Sequence, residues 1–447
     1  MTDTSLSPQI RILPGGDQRL LAGIGVIDST SIDSYRKAGG YAGLTRAIEK
    51  LGPQGTIDEI ADAGLRGRGG GGYRTADKWR AARAAAGESK VVVANLIGAD
   101  PTALGDRALA EGNPHLVLEG VLLAAFSTGA SDAVIAVRRD WTVAIERLRA
   151  AIVAAEAAHL AGYLIMGTDF SCVVRVSEGA VALVAGEETA LLAALEGDRG
   201  MPVIRPPYPT ERGLGGAPTT VQNGETLAHA AWIATHGAKK FRAIGSNDAP
   251  GTKLVSIYGR VAQPGLAEVA LGTPLSEIVA FAGGGTGTTK AVFVGGPGGG
   301  AIADLGTPYD FAPLHAAGAG IGLGQFLVAD ADTCMVDSAR FFLDYSAREA
   351  CGKAVPCRIG TKRLVETLDR ILAASPRPND LLLLRELSRK MTDTALCHLE
   401  ARAPGPMLTT LDRFPDEYRA HAERGECLAG ACRTTPVAPL IAPVAHL

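Results

Sequence analysis

The feature that most constrains this chain is an alternation of short apolar runs with helical patterns between residues 91 and 196. Residues 115–126 and 142–159 carry apolar side chains at helical spacing. Strand candidates rich in β-branched residues lie around them, at residues 91–96, 133–137, 171–176 and 181–185. Strands that alternate with helices predict an α/β unit, with helices on the faces of a sheet.

The rest of the chain divides into a β-rich part and a helical part. Residues 253–282 combine strand patterns with one helical pattern, which indicates a small β-rich module. After about residue 325 helical patterns follow one another, which predicts a helical bundle. The predicted parts are an N-terminal segment (1–60), an α/β domain (61–240), a β-rich module (241–328), a helical bundle (329–425) and a tail (426–447).

Composition and charge argue against two classes of partner. The net charge of −3 provides no basic excess for nucleic acid or for an anionic membrane surface. The most apolar long stretch, residues 150–174, contains Glu156, His159 and Asp169, so we expect no direct membrane span. The N-terminus lacks a signal-peptide pattern, and the chain contains seven cysteines. We therefore expect a cytoplasmic protein, with any contact to the inner face of the membrane made through partners.

A glycine-rich run at residues 64–73 (GLRGRGGGGY) is the first candidate binding element. Without Cβ atoms, successive backbone N–H groups can approach phosphate oxygens. Arg68 and Lys78 add positive charge to such a cradle. The run is neither a Walker A loop nor a regular dinucleotide fingerprint, because it lacks the Gly-Lys-Ser/Thr ending and a strong preceding strand. A mobile loop without a ligand is the alternative interpretation.

Residues 64–79 resemble the flavin-binding loop of the NADH-oxidising flavoprotein subunit of respiratory complex I. The same family includes flavin subunits of NAD-dependent formate dehydrogenases and NAD-reducing hydrogenases. Collinear motifs extend the resemblance over about residues 40–400, and together they are more specific than any one alone. These motifs are Asn95, Asp106-Arg107, 186–191 (GEETAL), 218–223 (PTTVQN), 250–253 (PGTK), 272–275 (GTPL) and 334–337 (CMVD).

The resemblance implies an α/β flavin-binding domain, a small ubiquitin-like β-grasp module and a C-terminal helical bundle with a [4Fe–4S] cluster. It also implies that FMN is held without a covalent bond. The residues that fall on the family's FMN-binding positions are Gly67, Arg68, Gly69, Lys78, Asn95, Gly186, Glu187, Glu188, Gln222 and Asn223.

The nicotinamide-binding stretch departs from the family pattern. Where the family has Asn-Ala-Asp-Glu-Gly/Ser-Glu-Pro, this chain has Asn-Leu-Ile-Gly-Ala-Asp-Pro at residues 95–101. Ile97 and Gly98 replace two acids, and Asp100 is the acid that remains. Tyr73 and Tyr208 are expected to flank an adenine, and with Asp100 they are the predicted nucleotide contacts. Either the chain still oxidises NADH or it uses another electron donor or acceptor.

The cysteine pattern also departs from the family. Cys351, Cys357 and Cys397 fall on cluster-ligand positions, but Ala354 stands where the family has a cysteine. Because a cubane cluster takes four thiolates, three alternatives remain: a [4Fe–4S] cluster with one iron lacking a cysteine ligand, a [3Fe–4S] cluster, or no cluster. We interpret Cys334 and Cys172 as core residues. Cys427 and Cys432 supply a replacement ligand only if the tail folds back.

The sequence therefore predicts an FMN-dependent electron-transfer subunit that oxidises NADH. Its expected partner is an iron–sulfur protein, such as a thioredoxin-like [2Fe–2S] subunit or a ferredoxin, within a larger redox complex that ends at a quinone or another acceptor. One alternative is a non-catalytic or ferredoxin-linked paralogue that no longer binds nicotinamide. Another is a chain whose ubiquitin-like segment mainly binds a partner or a small ligand.

Overall fold

The computed structural model describes residues 6–432, so most of the predicted tail lies outside the described residues. The strands in this range are β1 (Val91–Leu96), β2 (Asp132–Arg138), β3 (Val173–Gly179), β4 (Thr219–Asn223), β5 (Thr252–Gly259), β6 (Gly265–Ala270), β7 (Thr289–Val294), β8 (Gly300–Ile302) and β9 (Gln325–Asp330).

The α-helices are α1 (Ile32–Lys37), α2 (Ala42–Arg46), α3 (Gly52–Ala63), α4 (Thr75–Ala84), α5 (Gly105–Gly112), α6 (Pro114–Thr128), α7 (Thr142–Ala157), α8 (Glu188–Leu195), α9 (Gly224–His236), α10 (Ala238–Arg242), α11 (Leu275–Phe281), α12 (Phe311–Ala316), α13 (Met335–Arg348), α14 (Val355–Leu372), α15 (Asp380–Asp393), α16 (His398–Arg402), α17 (Gly405–Arg413) and α18 (Pro415–Arg419). No helix among the described residues is both long and apolar enough to cross a bilayer.

The first sheet is parallel throughout and has the strand order β3-β2-β1-β4. Strands β1 and β2 are almost completely buried, as expected when helices cover both faces of a parallel sheet. From β1 the chain proceeds outward through β2 to β3, and then returns to place β4 on the other side of β1. The strand order thus reverses between β1 and β4, where open α/β sheets form a crevice at their carboxyl ends.

Helix α6 is the buried centre of the helical layer and packs against α9. A Cβ on Gly120 would lie 2.1 Å from the carbonyl oxygen of Leu227, so the two backbones are in close contact. The adjacent Glu119 is buried and accepts hydrogen bonds from the Tyr35 hydroxyl and the Tyr41 N–H. These bonds attach the N-terminal segment to the α/β domain.

The second sheet has the order β6-β5-β9-β7-β8, with β5 and β9 parallel and the other pairs antiparallel. In local numbering this order is 2-1-5-3-4, the order of the ubiquitin-like β-grasp fold. The N-terminal segment covers its edge strand β6, because the Leu13 N–H donates to the Leu266 carbonyl. Covering an edge strand in this way prevents pairing with another chain.

The C-terminal helices pack as a bundle around a core that includes Leu343, Leu364, Leu368 and Tyr418. Helix α13 lies against both α14 and α17. The bundle confirms the helical pattern of the sequence.

One strand expected from the sequence is absent. Residues 181–185 were expected to form a strand, but a short 3₁₀ helix occupies Leu183–Gly186. The apolar side chains that suggested a strand pack instead against neighbouring elements, Ala185 in the core beside the first sheet and Leu183 beside the C-terminal helices.

The buried His115 makes the stability of the fold depend on pH. Its ring stacks on Tyr35, and burial lowers its pKa from about 6.5 to about 4. In the unfolded chain His115 is protonated below about pH 6.5, whereas in the folded chain it is protonated only below about pH 4. The free energy of unfolding therefore decreases by about 3 kcal/mol between these two pH values because of this residue alone. We expect His115→Gln to flatten that dependence, as measured by urea unfolding at several pH values. The exposed His236→Gln is the control, and an unchanged slope in His115→Gln would contradict the prediction.

Candidate functional site

The candidate site lies at the carboxyl edge of the first sheet, where the strand order reverses. Asn95 of β1 and Asn223 of β4 are register partners at this edge. The Asn95 side chain donates to the Gly186 carbonyl at 3.2 Å, and that of Asn223 donates to Asp106 Oδ2 at 2.7 Å. Burial, with a contribution from nearby Glu225, raises the pKa of Asp106 to about 7. Two amides thus stand side by side where a crevice is expected.

The glycine-rich loop packs over this edge. A Cβ on Gly69 would lie 3.2 Å from the Asn223 Cβ, and one on Gly70 would lie 3.3 Å from the backbone of Gly322. The Gly67 N–H closes the loop by donating to the Tyr73 carbonyl at 2.8 Å. The N–H groups of Gly69 and Gly70 make no hydrogen bond within residues 6–432. Free N–H groups in a turn of this kind are suited to binding an anion.

Arg68 stabilises the glycine-rich loop through buried hydrogen bonds. Its guanidinium is fully buried and donates to the carbonyls of Thr252, Arg66 and Pro250 at 2.7–3.1 Å. Its own N–H donates to Thr226 Oγ1 at 2.8 Å. Burial lowers the pKa of Arg68 to about 10, so the group remains charged at neutral pH. Arg68 therefore brings positive charge beneath the loop, but its hydrogen bonds go to the protein.

Lys78 and Glu188 join the loop helix α4 to helix α8. Lys78 Nζ donates to Glu188 Oε2 at 3.0 Å and to the Val221 carbonyl at 3.1 Å. Arg205 binds the other oxygen of Glu188 at 2.6 Å. Glu187 caps α8, since its Oε2 accepts the N–H groups of the second and third residues that follow it. Both carboxylates are therefore engaged by the protein at the start of α8.

Gln222 presents a buried polar atom that the protein leaves unsatisfied. Its Oε1 has no hydrogen-bond partner in the described part of the chain, and its Nε2 is 3.5 Å from Thr75 Oγ1. A buried acceptor without a donor is costly, which makes it a good candidate for a ligand contact. Gly186, on the neighbouring segment, has no room for a side chain, because a Cβ would lie 2.7 Å from that of Ala99.

The three predicted nucleotide contacts have different environments. Tyr73 and Tyr208 are exposed at 60% and 52%, so both rings are available to a ligand. Asp100 is buried, and its Oδ1 accepts hydrogen bonds from the N–H and hydroxyl of Thr102 at 2.8 and 2.6 Å. Burial raises the pKa of Asp100. Its carboxylate therefore holds a turn rather than standing in an open crevice.

The three predicted cluster ligands lie together in the C-terminal bundle. Cys351, Cys357 and Cys397 line one small cavity, which Ala354 does not line. Burial and the nearby Glu400, Cys397 and Cys351 raise the pKa of Cys357 to about 12. Three cysteines that line one cavity provide thiolates suited to an iron–sulfur cluster. A cubane cluster takes four thiolates, so one ligand position is not filled by cysteine.

Matches to known protein families agree with this geometry. Three family models match: the Nuo51 FMN-binding domain over residues 60–232, the SLBB domain over 254–300, and the NADH-ubiquinone oxidoreductase-F iron-sulfur binding region over 337–421. NADP-reducing hydrogenase subunit HndC of Solidesulfovibrio fructosivorans is 41% identical over 413 residues, which are 91% of this chain and 84% of the relative. An NADH-quinone oxidoreductase subunit of Rhizobium meliloti is 36% identical, over 91% of this chain and 98% of the relative. The chain belongs to the NADH-ubiquinone oxidoreductase-F family.

A solved structure supports the same assignment for the fold. One chain of the NAD+-reducing [NiFe]-hydrogenase in the H2-reduced state matches with a TM-score of 0.80 and 31% identity. The match covers 93% of this chain and 68% of that chain. The family and the three-part fold predicted from the sequence motifs are thereby confirmed. The matched family models also confirm the predicted cofactor classes, a flavin site and an iron–sulfur site.

The two positions that lack acids in this member of the oxidoreductase-F family are closed by packing. Ile97 is fully buried against the first sheet. A Cβ on Gly98 would lie 2.2 Å from the Trp141 ring, and the Gly98 carbonyl accepts a hydrogen bond from Arg138 at 3.2 Å. The Ile97 side chain and the Trp141 ring thus fill the space at these two positions.

A second group of metal-ligand residues was missed by the sequence reasoning. Cys334, His421, Cys427 and Cys432 place one ligand atom each within 4.8 Å of one another. Cys334 is buried in the core of the bundle, as expected, and Cys427 and Cys432 lie beside it and do not line the cavity of the three predicted ligands. Three sulfurs and one imidazole nitrogen at this separation fit a tetrahedral zinc ion. In the sequence, the short spacing from His421 to Cys427 and Cys432 was the pattern that could have indicated this group.

Substitution of a ligand in this group should remove a metal without affecting iron. We expect the purified chain to contain about one zinc ion and Cys432→Ser to contain almost none, because structural zinc requires all four ligands. Inductively coupled plasma mass spectrometry measures both metals. Cys351→Ser is the matched control, which should lose iron and keep zinc. A wild-type chain that folds in zinc-containing medium yet holds no zinc would contradict the prediction.

Proposed function

We propose that this chain is an FMN-dependent electron-transfer subunit that oxidises NADH and passes the electrons to an iron–sulfur partner. The observation that carries the proposal is the set of unpaired polar groups at the carboxyl edge of the first sheet. The N–H groups of Gly69 and Gly70 and the Oε1 of Gln222 have no partner within residues 6–432, and they lie in the part that matches the FMN-binding domain.

The residues divide the work of holding FMN. The free N–H groups of Gly69 and Gly70 bind the phosphate, and the buried charge of Arg68 favours an anion above it. Lys78, Asn95 and the unpaired oxygen of Gln222 orient the polar edge of the ring. When bound, FMN exchanges two electrons with a nicotinamide nucleotide and single electrons with an iron–sulfur centre.

The segment of residues 183–188 connects the flavin site with the cysteine cavity. Leu183 and Val184 line the cavity, whereas Glu188 binds Lys78 beside the glycine-rich loop. Glu187 lies near enough to Cys397 to raise the pKa of that thiol, although burial is the larger cause. A short segment that borders both sites provides a direct route for electrons from one to the other.

The two tyrosines complete the proposed nucleotide site. Tyr73 follows the glycine-rich loop and Tyr208 lies in the proline-rich segment before β4, and both rings are exposed. Exposed aromatic rings provide stacking surfaces for an adenine. The relative named as an NADP-reducing hydrogenase subunit makes NADPH the second candidate nucleotide.

The electron acceptor is proposed to be another subunit. Relatives named as subunits of a quinone oxidoreductase and of hydrogenases support membership of a larger redox complex. We propose that the direct partner is a thioredoxin-like [2Fe–2S] subunit or a ferredoxin, and that the electrons then reach a quinone or another acceptor. Such partners would also account for a peripheral position on the inner face of a membrane.

The repacked segment at residues 97–98 favours one alternative function. If Ile97 and Gly98 have removed the nicotinamide contacts, the chain is a flavoprotein that exchanges electrons only with protein partners such as a ferredoxin. The buried side chain of Ile97 and the Trp141 ring at Gly98 exclude an acid at either position without repacking.

Reduction of the bound flavin by NADH distinguishes the two functions. We expect the anaerobically purified chain to lose its visible flavin absorbance when NADH is added, since the nucleotide delivers two electrons to FMN. NADPH is tested in parallel, and dithionite shows that the flavin can be reduced. A flavin that dithionite bleaches but neither nucleotide does would establish the alternative.

A methyl group added at Gly69 should weaken FMN binding. Gly69→Ala places a Cβ 3.2 Å from Asn223, so the loop must shift away from the sheet edge and carry its N–H groups with it. We expect the dissociation constant of FMN to rise about tenfold, equivalent to about 1.4 kcal/mol, as measured by fluorescence titration of the apoprotein. Gly71→Ala is the control in the same loop, because the protein leaves open space there. Equal FMN affinities of Gly69→Ala and wild type would argue against this placement of the phosphate.

A further inference from the structure

The cavity lined by the three cysteines is also lined by two residues whose side-chain oxygens the protein leaves unsatisfied. Glu400 and Ser346 line it together with Cys351, Cys357 and Cys397. Glu400 Oε1 and Ser346 Oγ are buried and have no hydrogen-bond partner among the residues described. A buried carboxylate oxygen without a donor is expensive, so its presence in a cavity of thiols requires a chemical explanation.

The protein engages only one of the two carboxylate oxygens of Glu400. The residue is 1% exposed, and its other oxygen, Oε2, accepts the Leu396 N–H at 2.9 Å. Glu400 lies in the first turn of α16 and Cys397 immediately precedes this helix, and both residues line the cavity. Glu400 and Cys357 also line the same cavity.

Ala354 explains why an additional ligand is needed. It occupies the position before α14 where a fourth thiolate is expected, and a methyl side chain has no donor atom. Three thiolates leave one iron of a four-iron cluster without a protein ligand. The cavity thus combines a missing sulfur ligand with an unsatisfied oxygen.

We propose that the Glu400 carboxylate is the fourth protein ligand of a [4Fe–4S] cluster held by Cys351, Cys357 and Cys397. The inference rests on the iron–sulfur part of the proposed function, and it selects one of the three cluster alternatives. A carboxylate binds iron as an anion, whereas the Ser346 hydroxyl must first lose a proton, so Glu400 is the better ligand of the two. The Ser346 hydroxyl would then remain available as a hydrogen-bond donor.

The ligation is tested on the full chain by spectroscopy of the cluster. The protein is enriched with ⁵⁷Fe, purified without oxygen, and examined by Mössbauer and electron paramagnetic resonance spectroscopy. We expect four irons per chain in wild type, with the spectrum of one iron showing oxygen ligation. Glu400→Gln should lose that iron as a ferrous ion and, after one-electron oxidation with added ferricyanide, give the spectrum of an oxidised three-iron cluster.

A restored thiolate keeps the proposal testable if Glu400→Gln is unstable. Ala354→Cys, in an otherwise unchanged chain, should convert the oxygen-ligated iron into a sulfur-ligated one. In the double variant with Glu400→Gln it should restore the four-iron spectrum. Both results require that Glu400 bind the fourth iron directly. If Glu400 only stabilised the fold, neither the change of ligation nor the restored spectrum would be seen.

Glu349→Gln is the matched control. Glu349 borders the same cavity, but its Oε2 already accepts the Leu183 N–H at 2.9 Å, so its substitution should leave the cluster spectra unchanged. A wild-type chain with three irons or none, or an unaltered spectrum in Glu400→Gln, would overturn the proposal. Loss of the fourth iron in Ser346→Ala alone would overturn it in favour of the serine. Flavin absorbance and its bleaching by NADH are recorded separately, so failure of the proposed function is distinguished from failure of the ligand assignment.

Discussion

The structure depends on the hydrogen bonds that Arg68 makes beneath the glycine-rich loop. A loop that consists largely of glycine has little conformational preference of its own, so its shape must be imposed by what lies under it. Arg68 binds the carbonyls of Pro250 and Thr252, at the start of the ubiquitin-like module, and its N–H binds Thr226 of α9. Arg68 thus attaches the loop both to α9 of the first domain and to the start of the ubiquitin-like module, so the position of the loop depends on how the two domains pack.

The topology of the first sheet determines which polar side chains meet at its carboxyl edge. Because the strand order reverses between β1 and β4, the chain leaves adjacent strands in opposite directions, and the amides of Asn95 and Asn223 lie in the gap. The segment of residues 183–188 crosses from this edge to the cysteine cavity. The edge of the first sheet and the cysteine cavity, which are built on different domains, therefore share one stretch of backbone.

Local patterns in the sequence predicted much of this arrangement, and long-range contacts account for what they missed. The parallel strands, the glycine-rich loop and the three cavity cysteines follow from periodicity, turn chemistry and the family motifs. The 3₁₀ segment at Leu183–Gly186 was wrongly expected to be a strand, because tertiary packing overrides propensity in so short a run. The role of Arg68 was not visible, since all its partner carbonyls look alike in a sequence. The Cys334 group was missed because its first member lies about a hundred residues before its last, and only the fold brings them together.

The Cys334 group has a further consequence for the mechanics of the bundle. Cys334 immediately precedes α13 and Cys432 follows the last helix, so an ion bound by this group would tie the two ends of this domain into a ring. By analogy with a covalent cross-link, closing a loop of about a hundred residues removes roughly 4–5 kcal/mol of chain entropy from the unfolded state. The pocket of the three cysteines lies inside that ring. An ion bound by the Cys334 group would therefore stabilise the same domain that carries Cys351, Cys357 and Cys397.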